Sequence, residues 1–437
     1  IFILYSLMVN VLYKSLGNDE LNSSSSNYTE IDIEEIEEEN ASLDLTKEED
    51  LETYVMNISL LELNDYQNKY SSNNERYLLD NYIYDLIVAK NEAKHITNDE
   101  TEYENLNNEI NTLLEPIKKD DWEYFVKKNI AELQELITTS PDNVAITRYQ
   151  ARLKLNEYRL NNSIPYDYAN YLNNALEFIE TNLYEYQNLA SKESLNKKEQ
   201  ERFDYLKEEM LTNEYILKNK TDVNNAWNLH SLLMDFASEY GLFILIFIIY
   251  ISGSIVSEEF NKGTIKYLLT KPYKRRTILT SKYLTILILI PCIIIGMYLT
   301  NLLIGSLILG YNSLSIPVLL YDNVSAKLIS VNTFVYSLKL IVSVLPMYLV
   351  LATFCFALSA ITTSTSSAVT LTFAFYLVGN VISSLYLSYG IKAFKGFVSL
   401  HWDFSYLVNL SANIYNIKPF ISILVIIIYL SVMLCLS

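Results

Sequence analysis

Two long uncharged stretches separated by a short charged segment constrain the fold more than any other feature. Residues 240–257 carry no charge, and a second uncharged stretch covers residues 283–321. About 20 mostly apolar residues are enough to cross a bilayer as a helix. The segment between the two stretches is rich in basic residues: Lys262, Lys266, Lys271, Lys274, Arg275, Arg276 and Lys282. Because lysine and arginine near span ends stay on the cytoplasmic side, we expect this segment to face the cytosol.

The charged segment also contains a short apolar pattern. Three apolar residues recur at the spacing i, i+3, i+4: Ile265, Leu268 and Leu269. This spacing predicts one apolar face of a short helix. Gly263 and Thr264 can begin that helix, and Pro272 limits its length. An amphipathic helix of this kind suits a groove on a cytosolic partner, although an ordinary loop lying on lipid headgroups has the same composition.

The charged segment resembles the one that follows the second span of ABC-2 type transporter permeases. The shared pattern is an acidic residue, Gly-Thr, an apolar triplet, a proline, a basic pair and a lysine. Here these are Glu258 or Glu259, Gly263-Thr264, Tyr267-Leu268-Leu269, Pro272, Arg275-Arg276 and Lys282. The resemblance implies that residues 258–282 form the coupling segment that meets a separate cytosolic ATPase subunit. Ile265, Leu268 and Leu269 would fill the groove of that partner, and the flanking charges would fix its register.

The resemblance also implies what the chain does. It would be the membrane subunit of an ATP-driven exporter, paired with a second permease subunit in a homo- or heterodimer. The exported molecule would be amphipathic, such as a peptide antibiotic, a lipid or a drug-like compound. ATP would bind to the partner subunit, so no cofactor is expected on this chain.

An acidic block interrupts the membrane-like part of the sequence. Residues 15–239 contain 47 acidic and 20 basic residues, whereas the net charge of the whole chain is −18. We therefore expect a partial first span at residues 1–14, an acidic domain at residues 15–239 and a membrane domain at residues 240–437. With residues 258–282 in the cytosol, the acidic domain is extracellular. Its strong negative charge argues against nucleic-acid binding.

The acidic block has the periodicity of α-helices. One apolar stripe follows helical spacing: Trp122, Val126, Ile130, Leu133 and Ile137. Glycine is almost absent from the block, and no alternating strand pattern persists. These features predict an all-α domain of long, antiparallel packed helices.

Further apolar stretches complete a set of six spans. After residues 240–257 they cover residues 283–309, 340–361, 368–388 and 419–437. The connection at residues 310–339 is expected to be a short polar loop outside the cell. The first and last stretches are expected to be truncated spans. The predicted fold is thus an all-α, multi-pass protein of the plasma membrane, with a large helical extracellular domain between the first and second spans.

The sequence contains none of the catalytic or metal-binding motifs that we considered. It has no phosphate-binding loop of the GxxxxGK[ST] type and no nucleophile elbow. All three cysteines, Cys292, Cys355 and Cys435, lie in apolar stretches, and the three histidines have no metal-ligand spacing. We therefore expect neither a catalytic nor a metal site, and we expect that the chain is not an enzyme.

A different class of function also fits parts of the sequence. A cell-surface receptor or secretion scaffold could combine an ABC-2-like membrane part with a helical ectodomain and perform no transport. In that interpretation the acidic block binds a partner and residues 258–282 are only a loop. The complete Gly-Thr, Pro and Arg-Arg pattern favours the exporter.

Overall fold

The computed structural model describes residues 2–23, 32–70, 72–192, 194–224, 227–264, 274–322, 325–411 and 413–436. The chain divides into two compact units. We call Ile1–Gly17 with Val223–Ser437 the membrane unit, and Asn18–Asp222 the helical unit. The chain begins with helix α1, Phe2–Ser23, which continues past the residues assigned to the membrane unit.

In its described residues the helical unit is built from helices and connecting loops, with no β-strand, as predicted. In chain order they are α2 (Ile33–Ser42), α3 (Glu48–Lys69), α4 (Asn73–Leu78), α5 (Tyr84–Glu92), α6 (Glu100–Lys118), α7 (Trp122–Thr139), α8 (Asn143–Asn161), α9 (Tyr171–Ser191) and α10 (Lys197–Asn219). Side-chain caps fix where they begin: Asp99 caps α6, Asp121 caps α7 and Asn196 forms a capping box with Glu199 on α10.

Two π-helical turns, Leu79–Ile83 and Ala93–Thr97, lie at the ends of α5. In the first turn Leu79 and Ile83 are fully buried, whereas Asp80 is only partly buried. The Asp80 carboxylate accepts hydrogen bonds from Tyr168 Oη at 2.8 Å and from Gln67 Nε2 at 2.7 Å. Burial raises the pKa of Asp80 even though both donors oppose that change. The π turn thus combines core packing with a polar tie to two neighbouring segments.

Within its described residues, the membrane unit contains five helices that are long and apolar enough to cross a bilayer. Before them lie two short helices, α11 (Leu229–Met234) and α12 (Phe236–Glu239). The long helices are α13 (Gly241–Asn261), α14 (Arg275–Ile308), α15 (Thr333–Thr362), α16 (Thr365–Tyr389) and, after the short α17 (Ser405–Val408), α18 (Pro419–Leu436). The apolar part of α1, Phe2–Ser15, is shorter than these. The predicted all-α membrane fold is confirmed.

The boundary between the units lies at Asp222, earlier than the Glu239 that composition indicated. Four residues at helical spacing bury their side chains in the same core as the long helices: Leu229, Leu232, Leu233 and Phe236. Asp235 and Glu239 gave this stretch the acidic composition of the preceding block. The apolar stripe, rather than the net charge, decides which unit residues 223–239 join.

The expected polar loop at residues 310–339 is in fact largely structured. It contains an antiparallel hairpin of β1 (Pro317–Asp322) and β2 (Lys327–Asn332), in which Val318 lies opposite Val331. Val318 packs against Tyr336 and Leu340. Because Asn332 caps α15 with its side chain, that helix begins directly after β2, well before the predicted start.

Candidate functional site

The residues predicted to couple to a partner lie at the end of α13 and the start of α14. Glu258 and Glu259 occupy the last turn of α13, and Lys262, Gly263 and Thr264 follow. Arg276 and Lys282 belong to α14, and Arg275 is its first residue. The remaining predicted residues lie outside the described part of the chain: Ile265, Tyr267, Leu268, Leu269 and Pro272.

An ion pair between Glu259 and Lys282 ties the two ends of the coupling segment together. The side chain of Lys282 is 13% exposed and that of Glu259 is 26% exposed. Lys282 Nζ also donates to the carbonyl oxygen of Ile255 at 2.7 Å. A mostly buried ammonium that is both paired and hydrogen-bonded fixes the start of α14 against the last turns of α13.

The neighbouring pair is different. Lys262 Nζ lies 2.7 Å from a carboxylate oxygen of Glu258, but these side chains are 68% and 44% exposed. Because solvent screens an exposed i, i+4 pair, this one contributes little to stability. The two adjacent glutamates are interchangeable in the sequence pattern, but they differ in the structure. Glu259 joins two helices, whereas the Glu258 side chain is 44% exposed. Arg276 is also exposed.

Gly263 adopts a left-handed backbone conformation, with φ of +71°. Its amide donates to the carbonyl of Phe260 at 3.2 Å, and the Thr264 hydroxyl donates to that of Glu259 at 3.4 Å. The sequence predicted that Gly263 and Thr264 begin a helix. In the described residues they terminate α13, and glycine is favoured there because a side chain disfavours positive φ.

A cleft of about 320 Å³ opens along the last three turns of α13. Its walls combine apolar residues, Ile251 and Ile255, with the charged Glu258, Glu259 and Lys262. The cleft therefore presents both an apolar surface and charges of both signs to a protein side chain that enters it.

Sequence reasoning missed a hydroxyl network one turn before the glutamates. The Ser257 amide donates to Ser359 Oγ at 3.1 Å, and Ser359 Oγ donates to the Gly253 carbonyl at 2.5 Å. The Ser257 and Thr365 hydroxyl oxygens lie 2.5 Å apart. A Cβ on Gly253 would lie 3.1 Å from Cys355 Sγ. The small-xxx-small spacing of Gly253 and Ser257 was the available signal for this close helix contact.

The network fixes the C-terminal part of α13 to the two helices that follow α14. Ser359 lies in the last turn of α15 and Thr365 begins α16. Together with the Glu259–Lys282 pair, it connects the coupling segment to α13, α14, α15 and α16. Among the residues that the structure describes, no group of three or more His, Cys, Asp or Glu side chains could hold a metal ion.

Five apolar helices in the described residues, with a basic stretch of sequence between the first two, support a membrane-embedded protein. The chain belongs to the ABC-2 family of transporter proteins, whose family model matches residues 67–436. This match confirms the resemblance inferred from the charged segment. The description of this family is that of a transporter.

Two relatives from Bacillus subtilis strain 168 share parts of the sequence. One, described as uncharacterized protein YhcI, is 31% identical over 107 residues, which cover 24% of this chain and 34% of the relative. The other, described as uncharacterized membrane protein YdbK, is 40% identical over 62 residues, which cover 14% of this chain and 25% of the relative. The chain thus matches about a third and a quarter of their lengths. No solved structure matches the chain.

Proposed function

We propose that this chain is the permease subunit of an ATP-driven exporter, in which a separate cytosolic ATPase docks on residues 258–282. Nucleotide-driven movement of the ATPase displaces this segment and changes the packing of the spans. An amphipathic substrate, such as a peptide antibiotic, a lipid or a drug-like molecule, is thereby moved outward. A second permease subunit completes the pathway. By the positive-inside rule, residues 15–239 lie outside the cell.

The observation that carries this proposal is the tie between Glu259 and Lys282. It lies at the base of the segment, where the chain leaves α13 and enters α14. A force on the segment therefore reaches both helices at once. The hydroxyl contacts of Ser257 with Ser359 and Thr365 offer a route from α13 to α15 and α16.

The chemistry of the segment supports a protein partner. In the sequence, charges of both signs, on Glu258, Lys262 and Arg276, flank the predicted apolar residues Leu268 and Leu269. In helix-in-groove recognition, apolar anchors supply most of the affinity. Charges at the rim set the orientation and the rate of association.

The docking proposal is tested by affinity purification of the full-length protein from its native membrane. Wild type is compared with a Leu268→Glu, Leu269→Glu variant, and co-eluting proteins are identified by mass spectrometry. We expect an ATP-binding subunit with the wild type and its loss from the variant. Leu407→Glu, at an exposed leucine of α17, is the control and should retain the partner.

Two other outcomes would count against the proposal. Equal recovery of the ATPase with the wild type and with the Leu268→Glu, Leu269→Glu variant would show that the ATPase does not dock on this segment. Surface or secretion proteins in place of an ATPase in every sample would favour a receptor or scaffold.

A second experiment addresses coupling. In Arg275→Glu, Arg276→Glu, we expect the ATPase to be no longer stimulated by transport substrate, because the reversed charges repel the acidic partners that set its register. The measurement is ATP hydrolysis by the reconstituted complex with and without substrate. Unchanged stimulation would remove the role assigned to these arginines.

A further inference from the structure

The helical unit contains a cleft of about 740 Å³ between α7, α8 and α9. Sites for small organic ligands and short peptide segments fall in the range of about 300–1,000 Å³. Along α9 the lining extends from Glu177 to Gln187, which is about 15 Å at the rise of an α-helix. An extended peptide covers about 3.3–3.6 Å per residue, so the cleft has the length of about four residues.

The floor of the cleft is built from ordered tyrosines. Tyr77 and Tyr166 are each 5% exposed, and their rings stack at 5.2 Å with an interplanar angle of 15°. The Tyr166 hydroxyl lies 3.1 Å from that of Tyr82, and Asn129 donates to both hydroxyls. A floor held by stacking and hydrogen bonds is preorganised, which reduces the entropy lost when a ligand binds.

The walls already accommodate cationic groups of the protein. The guanidinium of Arg148 lies 3.1 Å from the centre of the Tyr184 ring, and Arg152 Nε donates to Glu180 at 2.8 Å. An aromatic face and a carboxylate are the two groups that bind organic cations most favourably. A cationic ligand could therefore form the same two interactions in this cleft, a cation–π contact and a hydrogen bond to a carboxylate.

Glu177 is a carboxylate of the cleft that, unlike Glu180, forms no ion pair among the described residues. Its side chain is half-buried. Burial raises the pKa of Glu177, against the opposing effects of Arg159 and the Tyr77 hydroxyl. A ligand that brings a positive charge into contact with Glu177 would remove much of this desolvation cost.

The charge of the surroundings selects the sign of the ligand. The lining contains three glutamates and two arginines. Residues 18–222 contain 45 acidic and 20 basic residues, so the field of the whole unit repels anions and attracts cations.

We propose that this cleft binds a short peptide segment that carries arginine or lysine beside an aromatic or aliphatic residue. The cationic group contacts Glu177. The apolar side chain packs between Leu136 and Tyr184, both exposed at the rim. Binding at this site requires neither an ATPase nor transport, so this proposal can be tested independently of the proposed export function.

The test uses the full-length chain in nanodiscs of zwitterionic lipid, without nucleotide or partner. The probe is the capped tetrapeptide acetyl-Trp-Arg-Trp-Leu-amide, and binding is measured by isothermal titration calorimetry. The matched probe has citrulline in place of arginine, which keeps the shape and removes the charge. We expect saturable binding of the first probe with one site per chain, and dissociation constants at least about tenfold higher for the citrulline probe and for Glu177→Gln.

Glu185→Gln provides the matched control on the same helix. Glu185 pairs with Arg202 outside the cleft lining, so this variant makes the same charge change and should bind the arginine probe like the wild type. Tyr184→Ala, at an exposed ring of the rim, should weaken binding without unfolding the unit. Thermal unfolding of each variant verifies that the fold is kept.

Three outcomes would overturn the proposal. These are no saturable binding of the arginine probe, equal binding of the citrulline probe, and equal weakening by Glu177→Gln and Glu185→Gln. The last result would assign binding to the acidic surface in general rather than to the cleft.

Discussion

Among the described residues, the fully buried polar side chains of the helical unit include charged ones, whereas those of the membrane unit are neutral. In the helical unit, Lys90 is buried and pairs with Glu62, and Arg159 Nη1 donates to Asn173 Oδ1 at 2.7 Å. In each case a polar partner offsets the desolvation of the cation.

Among the described residues of the membrane unit, the buried polar side chains carry hydroxyls, amides and imidazoles. Ser257, Ser359 and Thr365 connect three helices through hydroxyl groups. His230 Nδ1 lies 2.7 Å from Thr333 Oγ1, whose hydrogen is donated to a carbonyl oxygen, so the imidazole is the donor of that bond. Burial lowers the pKa of His230, which keeps it neutral. Neutral hydrogen bonds thus take the place that the Lys90–Glu62 ion pair has in the helical unit, as expected for a chain that crosses a hydrocarbon layer.

The largest expected effect comes from breaking the buried ion pair of the helical unit. Lys90→Met leaves the Glu62 carboxylate without its cation, and we expect a loss of about 2–3 kcal/mol in the stability of that unit. Hydrogen exchange of the full-length protein in detergent, with mass-spectrometric readout at helical-unit amides, measures it. Lys197→Met removes an ammonium that is 92% exposed and should cost less than about 0.5 kcal/mol. Equal losses for both variants would remove the contrast between buried and exposed pairs.

In the membrane unit the corresponding weak point is a close helix contact rather than a charge. Gly253→Leu would force side-chain atoms against Val369 Cγ2 and Cys355 Sγ, which lie 3.0 and 3.1 Å from a Cβ at this position. We expect a loss of about 1–3 kcal/mol, visible as a lower Tm in detergent. Gly296→Leu is the control, since nothing lies within 4 Å of its Cβ. A normal Tm for Gly253→Leu would show that α13 and α15 separate easily.

The contrast between the units also explains how much of the fold the sequence could predict. Uncharged apolar runs of sufficient length predicted all five long helices of the membrane unit, because crossing a bilayer depends on length and polarity alone. The unit boundary was misplaced because Asp235 and Glu239 masked an apolar stripe. The hairpin of β1 and β2 was missed because its short strands lack strict alternation and Val318 is buried by contacts with distant residues.

The site shows the same limit. A local pattern identified residues 258–282, but no local pattern could show that Glu259, and not Glu258, pairs with Lys282. Hydroxyl residues such as Ser359 and Thr365 are common in apolar helices, so their contact with Ser257 depends on helix packing that the sequence alone does not specify. Pairings between distant positions require the three-dimensional structure.

A smaller effect is expected where charge is retained at the edge of the spans. Lys282→Met removes both the pair with Glu259 and the bond to Ile255, and we expect about 1–2 kcal/mol of local destabilisation. Lys262→Met, in the exposed pair, should destabilise less than Lys282→Met, because solvent screens an exposed pair. Hydrogen exchange at the end of α13 distinguishes the two. Faster exchange in Lys262→Met than in Lys282→Met would reverse the roles given to Glu258 and Glu259.

The smallest effect is expected from pH, and it tests whether the membrane unit depends on neutral buried groups. His401 is buried between the Lys395 carbonyl oxygen, 2.8 Å from Nε2, and Ser422 Oγ, 3.1 Å from Nδ1. Burial lowers the pKa of His401, with the charge of Lys395 acting in the same direction and the bond to the Lys395 carbonyl opposing it.

The unfolded chain therefore binds a proton at higher pH than the folded chain does. Stability from this residue is complete above the unfolded pKa of about 6.5 and decreases as pH falls towards the folded value. We expect wild type to lose more stability than His401→Gln when pH is lowered from 7.5 to 5.5, as measured by Tm in detergent. Because other titrating groups, including His230, are common to both proteins, the difference isolates His401. If Tm changed with pH in parallel for wild type and His401→Gln, the first turn of α18 would tolerate a protonated His401 beside it. The contrast between buried charged and buried neutral groups would then not apply to the histidines of the membrane unit.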